Sequence, residues 1–416
     1  MAGPSITSHV SRTRWARSAD CLAVAVAVSL PWSTSATGIL VVLWLVALVP
    51  SLEWGSLRRE LTTMAGGLPV LLVLLGMLGT LWADVSWVER WKGLDSFMKL
   101  LAIPLLFVQF RRSGRAEWIF GGYLLSCVFL LAASTLVQFV SGFSFVPMKW
   151  DHVLVKNAAT QSGEFVTCIF GLIFLAYESI AHRRWRWLLG LLAVVLAMLA
   201  NILFVATSRT ALVVILVLLV LFAIKKLARR DALLFFAGAA AVLVAAWAFS
   251  PYFRARTEQV WTDFQRYEAT GATNSSGERI EFARKSIAFI RTAPFVGHGT
   301  GTIHALFAQA SVGQTGAAAS DTTNPHNQTF AVAIQLGIAG AAVLWAMWFA
   351  HLVLFRGDGL VAWIGLVVVA QNIVGSFFNS HLFDFTQGWV YVFGVGVAGG
   401  VALKNQAMER LAGNAT

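Results

Sequence analysis

"TNPHNQTF", residues 323–330, separates a polar stretch that begins near residue 250 from an apolar run that continues to about residue 353. That run is long enough to cross a bilayer, which takes about 17–25 apolar residues. The polar stretch before it is too long for a plain connector. Reading outward from this junction in both directions decides the fold.

Apolar runs of similar length recur along nearly the whole chain, and 58% of the 416 residues are hydrophobic against 12% charged. Soluble domains carry about 25% charged residues. The expected fold class is therefore an all-α polytopic membrane protein, with twelve spans at roughly 20–34, 36–51, 65–84, 96–110, 116–140, 158–181, 185–206, 210–225, 232–250, 329–353, 359–377 and 385–403. Arg12, Arg14 and Arg17 precede the first run as in a signal peptide, but no small-residue cleavage site follows, so it is expected to stay as a helix. Cys21, Cys127 and Cys168 lie in or beside apolar segments and are expected to pack rather than to bridge or bind metal.

The net charge of +11 raises the question of nucleic acid, but in a membrane protein the loops that stay in the cytoplasm collect Lys and Arg. With the N-terminus inside, the alternate connections are basic: Arg58-Arg59, Arg111-Arg112, Arg183-Arg184, Lys225-Lys226, Arg356 and the tail with Lys404 and Arg410. Of the 31 basic residues, 18 then fall inside, and seven of the 13 outside lie in the single long loop. Arg90 and Lys92 run against the pattern. Both termini are expected in the cytoplasm, with no nucleic-acid partner. The expected organisation is membrane helices over 1–249, an outer loop over 250–328, and further membrane helices with a cytoplasmic tail over 329–416.

The loop is expected to be ordered. Residues 256–270 place Val260, Phe264 and Tyr267 at helical spacing, and 275–290 place Ile280, Ala283, Ile287 and Ile290 on one face. Ser275 with Glu278 fits a capping box. From Pro294 to the next span the chain reads as loop.

In the opening stretch, Asn324 suits an N-cap and Pro325 a first helical residue, which puts His326 in the first turn of the tenth span. A helix N-terminus disfavours imidazolium, so His326 is expected neutral near pH 7, the form of a general base. A histidine that only caps the interface is the alternative. Arg209, in "ATSRTAL", stands between two spans almost without a loop. Such an arginine either snorkels or holds an anion. Arg279 lies in the first turn of a loop helix, where a cation gains nothing from the dipole, so anion binding is the reading favoured there. Arg284, Lys285 and Arg291 read as a solvated basic face, with Arg284 kept as a supporting candidate beside Asn327. "VGHGTGTIH" (296–304) reads as a turn rather than a phosphate cradle, and His298 and His304 lack metal spacing. Lys99 and the pair His381 and Asp384 are smaller candidates at the outer face. Glu164 is a further ionisable group there, expected to pair with a basic residue. No metal site and no cofactor are expected.

At Ser208-Arg209-Thr210, at "SSGERIEFARKSIAFIRTAPFVGHGTG" (275–301) and at "PHNQTF" (325–330), the chain resembles the O-antigen ligase and polymerase superfamily of bacterial inner-membrane proteins. The resemblance implies a fold like that of GT-C-type glycosyltransferases with one long periplasmic loop. It implies transfer of polysaccharide from undecaprenyl diphosphate to lipid A–core, inverting and without metal. Those lipid-linked partners and the membrane lipids come with it. Arg209, Arg279 and His326 match the family's essential residues, and Lys99 and Asp384 match a further lysine and aspartate, with Lys99 assigned to the diphosphate. O-antigen polymerases and protein O-oligosaccharyltransferases share the donor and stay open as alternatives. A lipid-linked oligosaccharide flippase is a reading of another class, disfavoured because the polar groups cluster at one face rather than at the bilayer midplane.

Overall fold

The computed structural model describes residues 6–139, 153–206, 208–249 and 251–413. Helices are the only regular structure among them, as expected where a bilayer offers the backbone no hydrogen-bond partner. They run α1 (Ile6–Ser29), α2 (Thr34–Leu48), α3 (Trp54–Leu61), α4 (Met64–Gly79), α5 (Trp87–Met98), α6 (Ala102–Phe110), α7 (Ala116–Phe139), α8 (Ala158–Ala181) and α9 (Trp185–Phe204). Then follow α10 (Arg209–Lys226), α11 (Arg229–Phe249), α12 (Pro251–Thr270), α13 (Ser275–Thr292), α14 (Ile303–Ser311), α15 (Gln328–Leu354), α16 (Leu360–Gly375) and α17 (Phe385–Gly413).

Twelve spans were expected; eight described helices are long and apolar enough to cross a membrane, or nine if α3 and α4, bent by 85°, form one. The difference has physical causes. Charges interrupt the windows of α1 and α10, and α16 is only 16 residues long. The protein is a multi-pass membrane protein on this count. Its core is a continuous apolar cluster that includes Trp44, Phe107, Phe165, Trp348, Trp363 and Tyr391, through which α6 packs on α17, α4 on α15 and α8 on α9. Cys127 and Cys168 are buried in it as expected, whereas Cys21 is exposed.

The 250–328 segment is helical, and more so than expected. Beyond α12 and α13, the stretch after Pro294 contains α14 and a short turn of helix at Gly316–Ala319. The cap of α13 is Asn274, whose Oδ1 accepts from the amides of Ser276 and Gly277. Glu278 instead accepts from Ser320 Oγ at 2.9 Å, so the expected capping box is not formed. The expected face of α13 is met in part: Ile290 packs against the second core with Phe289, but Phe282 and Ser286 are the buried residues and Ile287 is 42% exposed. Phenylalanine rings at positions 282 and 289 bury more apolar area than the isoleucines, and so they turn the helix. Phe282 joins Ile303, Phe307, Ala331 and Ile334 in a small second core shared with α15.

The glycine-rich stretch is what seats this segment on the membrane helices. The amides of Gly299, Thr300 and Gly301 donate to Gln335 O, Gly79 O and Gln335 Oε1. With those amides used, the stretch is a packing turn, not a phosphate cradle. At Gly299 (φ +96°) a Cβ would meet Ala83 Cα at 2.5 Å. At Gly337, where α15 kinks, φ is +65° and a Cβ would meet Phe295 O at 2.2 Å. Only glycine tolerates both the conformation and the approach.

Candidate active site

Four elements meet at the junction quoted at the outset: the N-terminus of α10, the first two turns of α13, the 322–327 turn before α15, and the 376–384 turn before α17. Each has a local reason for its shape. Ser208 caps α10 by accepting from the Ala211 amide, which starts the helix at Arg209. Asn327, not Asn324, caps α15, its Oδ1 accepting from the Phe330 amide at 3.1 Å. Gln328 is fully buried as the first residue of α15, and its Oε1 accepts from the amides of Leu382 and Phe383, clipping the two turns together.

His326 therefore lies just outside the helix rather than in its first turn. Its backbone is left-handed (φ +54°), an uncommon conformation for a residue with a Cβ. Asn324 holds it there: Asn324 Oδ1 accepts from the His326 amide at 2.9 Å and from Ser380 Oγ at 2.7 Å. Thr322 Oγ1 accepts from the Asn324 amide and donates to its carbonyl. The strain is the kind that surrounding structure over-determines at functional sites.

The imidazole is positioned as tightly as the backbone. Phe282 stacks on it, with ring centroids 5.9 Å apart and planes 18° off parallel. Its Nδ1 lies 3.0 Å from Asn379 Oδ1. Asn379 Nδ2 donates to Asp384 Oδ2 at 2.6 Å, and a carboxylate accepts only from the amide nitrogen, so Oδ1 is the atom turned to the histidine. That oxygen also accepts from Asn324 Nδ2 at 2.8 Å. Nδ1 must then carry the proton, which leaves Nε2 with its lone pair, the arrangement a base needs. Burial is the main cause that holds the His326 pKa below its ordinary 6.5, with the Arg279 charge second, against a small opposing effect of Asn379. Because His326 lies outside the helix, burial and the Arg279 charge rather than the helix dipole favour its neutral form.

The cations are close by. Arg209 Nη2 is 3.8 Å from Asp263 Oδ2 of α12, a long contact that can occupy only part of the guanidinium's five donors. Arg279 is exposed, and partial desolvation followed by the charge of Arg209 pulls its pKa below the usual arginine value. Two cations brought together, and one of them beside a neutral histidine, make a site for an anion. Asp384 is raised to about 6 by burial, opposed by the charge of Lys99. His381, in the same turn, is lowered to about 4 by burial alone.

Lys99 reaches the site's underside. Its Nζ donates to the carbonyls of Leu382 at 3.3 Å, Phe383 at 3.0 Å and Asp384 at 3.1 Å. An ammonium has three donors, and all three are used. The geometry therefore corrects the expectation that Lys99 contacts the diphosphate: it braces the Asp384 turn. Arg284 points the other way, 3.1 Å from Glu281 and from Tyr267 Oη. Lys285 is not solvated as expected, because its Nζ donates to Ser311 Oγ and Ala318 O, both at 2.7 Å. Glu164 pairs with Lys156 at 3.7 Å, and Lys156 Nζ also donates to Thr386 Oγ1 at 2.8 Å, beside the Asp384 turn. Among the described residues no three His, Cys, Asp or Glu side chains gather as a metal-binding group. Asn379, Phe282 and Gln328 were missed from sequence, and Asn324 was read as a helix cap rather than as the residue that holds the His326 backbone. An Asn in the turn between α16 and α17 carries no signal until its partners, 53–55 residues away, are brought to it.

No match is found among curated proteins. The sequence model of a family described as O-antigen ligase matches residues 194–345, which covers Arg209, Arg279 and His326. Over that stretch, 152 of the 416 residues, the chain is similar to the O-antigen ligase family.

Proposed function

We propose that the protein is an O-antigen ligase that moves a polysaccharide from undecaprenyl diphosphate onto a hydroxyl of lipid A–core at the periplasmic face of the bacterial inner membrane. The observation that carries this reading is the chain Asp384–Asn379–His326, which orients an unprotonated Nε2 near the charge of Arg279, a residue that in turn feels the charge of Arg209. His326 Nε2 takes the proton of the acceptor hydroxyl, whose oxygen attacks the anomeric carbon. The glycosidic bond to the diphosphate breaks on the opposite face, and Arg209 and Arg279 hold the charge that collects on the departing diphosphate. One displacement inverts the anomeric centre and needs no nucleophile from the protein. Asp384, Asn379 and Lys99 are positioning residues.

The membrane part supports a lipid donor. A cavity of about 550 Å³ opens between α8, α9, α10 and α11, lined by Leu203, Leu212, Ile215, Leu219 and other apolar side chains. It begins one turn below Arg209, so a polyprenyl chain lying in it brings its diphosphate to that arginine. Polymerase and protein-glycosylating readings use the same donor and site and differ in acceptor only.

Purified protein with EDTA, undecaprenyl-diphosphate polysaccharide and lipid A–core tests the reading by a gel mobility shift. Wild type shifts the acceptor. Loss of the base costs about 10²–10⁴ in rate for His326→Ala. Losing either arginine costs about 3–4 kcal/mol of transition-state stabilisation, judged from comparable oxyanion donors. Lengthening of the donor without lipid A–core consumption makes it a polymerase, and labelling of a protein acceptor makes it a protein glycosyltransferase. Full turnover by Arg209→Ala and Arg279→Ala sinks the assignment of the clamp.

A further inference from the structure

The two long helices outside the membrane form a hairpin, and its groove is unaccounted for by the site just described. Asp263 of α12 turns inward to Arg209. The neighbouring positions Phe264, Tyr267 and Glu268 form a different stripe, and they face Ile280, Glu281 and Arg284 of α13 across a cleft of about 430 Å³ floored by the 315–318 stretch. Gly277 lets the helices approach, since a Cβ there would meet Tyr267 Cδ2 at 2.5 Å. The polar groups are pre-set: Arg284 Nη1 is 3.1 Å from both Tyr267 Oη and Glu281 Oε1, and Tyr267 Oη donates to the same carboxylate. Trp261, 63% exposed, stacks on Phe264 with centroids 5.9 Å apart and planes 27° from parallel, extending the aromatic stripe beyond the cleft.

We infer that this cleft binds a saccharide chain, with one or two sugar rings lying against Phe264 and Trp261 while Glu281, Arg284 and Glu268 take their hydroxyls. Aromatic rings offer flat apolar faces that match the C–H faces of pyranoses, and they lose little conformational freedom on binding. A carboxylate and a guanidinium supply strong acceptors and donors for paired hydroxyls. A bare aromatic patch would serve equally as an anchor in the lipid headgroups, but here it borders two carboxylates, which an anionic lipid surface disfavours. Position agrees with the chemistry. Glu281 and Arg284 follow Arg279 on the same helix by two and five residues, about 3 and 7.5 Å along its axis. Around the helix Glu281 and Arg284 are about 200° and 140° from Arg279, so a sugar chain extending from the diphosphate passes over α13 to reach the cleft. The inference rests on the proposed transfer for its biological sense, but the binding it asserts needs no transfer to occur. The chain is either the donor polysaccharide or the acceptor core oligosaccharide, which share this chemistry.

The test uses the full chain in lipid nanodiscs, immobilised, and titrated with delipidated O-polysaccharide and separately with deacylated core oligosaccharide. One of the two binds wild type, and the one that binds identifies the source. Trp261→Ala, and Phe264→Ala combined with Glu281→Gln, each weaken that binding at least tenfold. In hydrogen exchange, the saccharide slows amides within 261–284. If neither saccharide binds, or the cleft variants bind as wild type, the inference is overturned. The same holds if exchange in 261–268 slows on moving from detergent to nanodisc and is indifferent to saccharide, which assigns the stripe to the bilayer. Transfer with unaltered binding by the cleft variants removes this inference alone. Saccharide binding at the cleft without transfer to any acceptor removes the ligase reading alone.

Discussion

Asn379 supports the base through three contacts, so its truncation tests the reasoning most directly. Asn379→Ala removes the acceptor of His326 Nδ1–H at 3.0 Å, the donor to Asp384 at 2.6 Å and the acceptor for Asn324 Nδ2 at 2.8 Å. A hydrogen bond to a charged partner contributes about 1.5–3 kcal/mol net and a neutral one about 1 kcal/mol. If about 1.5–3 kcal/mol of that support acts on the orientation and tautomer of His326 in the transition state, kcat falls about 10- to 150-fold, at a factor of ten per 1.36 kcal/mol. Donor KM stays close to wild type, because no contact to the arginines is touched. The assay is initial-rate transfer at saturating and limiting donor, on protein whose elution profile and melting temperature show that it is folded. Asn379→Asp sharpens the test. It keeps an acceptor for Nδ1 but sets a carboxylate against Asp384, which raises the His326 pKa and moves the acid limb of the rate profile upward. An Asn379→Ala protein with kcat within twofold of wild type would refute the argument that this chain orients the base.

The wild-type rate should fall on acidification only below about pH 6: His326 is held under 6.5 and Asp384 sits at about 6, so above that range the base is neutral and its partner charged. Removing Arg279 takes away the second cause of the His326 depression, so the residual activity of Arg279→Gln should show its acid limb displaced toward 6.5; an unmoved limb argues that the two groups do not interact. Lys99→Met should lower kcat and the melting temperature while leaving donor KM nearly unchanged, because Lys99 braces carbonyls 382–384; a KM rise of tenfold or more would return it to the diphosphate. Gly337→Ala forces a Cβ into Phe295 O at a left-handed position and should destabilise the protein by about 1–3 kcal/mol, read as a lower melting temperature; an unchanged melting temperature would show that the kink is not needed to seat the 294–302 stretch.

Much of this was legible in the chain itself, for reasons that are local. Apolar runs, their lengths and the alternation of basic connections depend only on neighbouring residues and on the bilayer's thickness, so the polytopic helical fold is written directly into the sequence. Arg209 and His326 stand out in the sequence as a charge and an imidazole at the membrane edge, and Arg279 as a cation in the first turn of a loop helix, where the dipole does not favour it. What the sequence left open was decided by contacts between residues far apart in the chain. Lys99 looks like a free cation until carbonyls 283–285 residues away accept hydrogen bonds from its three N–H groups. Asn274 and Asn327 outcompete Ser275 and Asn324 as caps because their side chains, held by the packed turns, face the open amides. Asn379 becomes a partner of His326 only after Gln328 clips two turns together. Periodicity and composition carry which segments are buried; they do not carry which buried polar groups meet, because each meeting is set by the rotation and register of whole helices in the packed bundle.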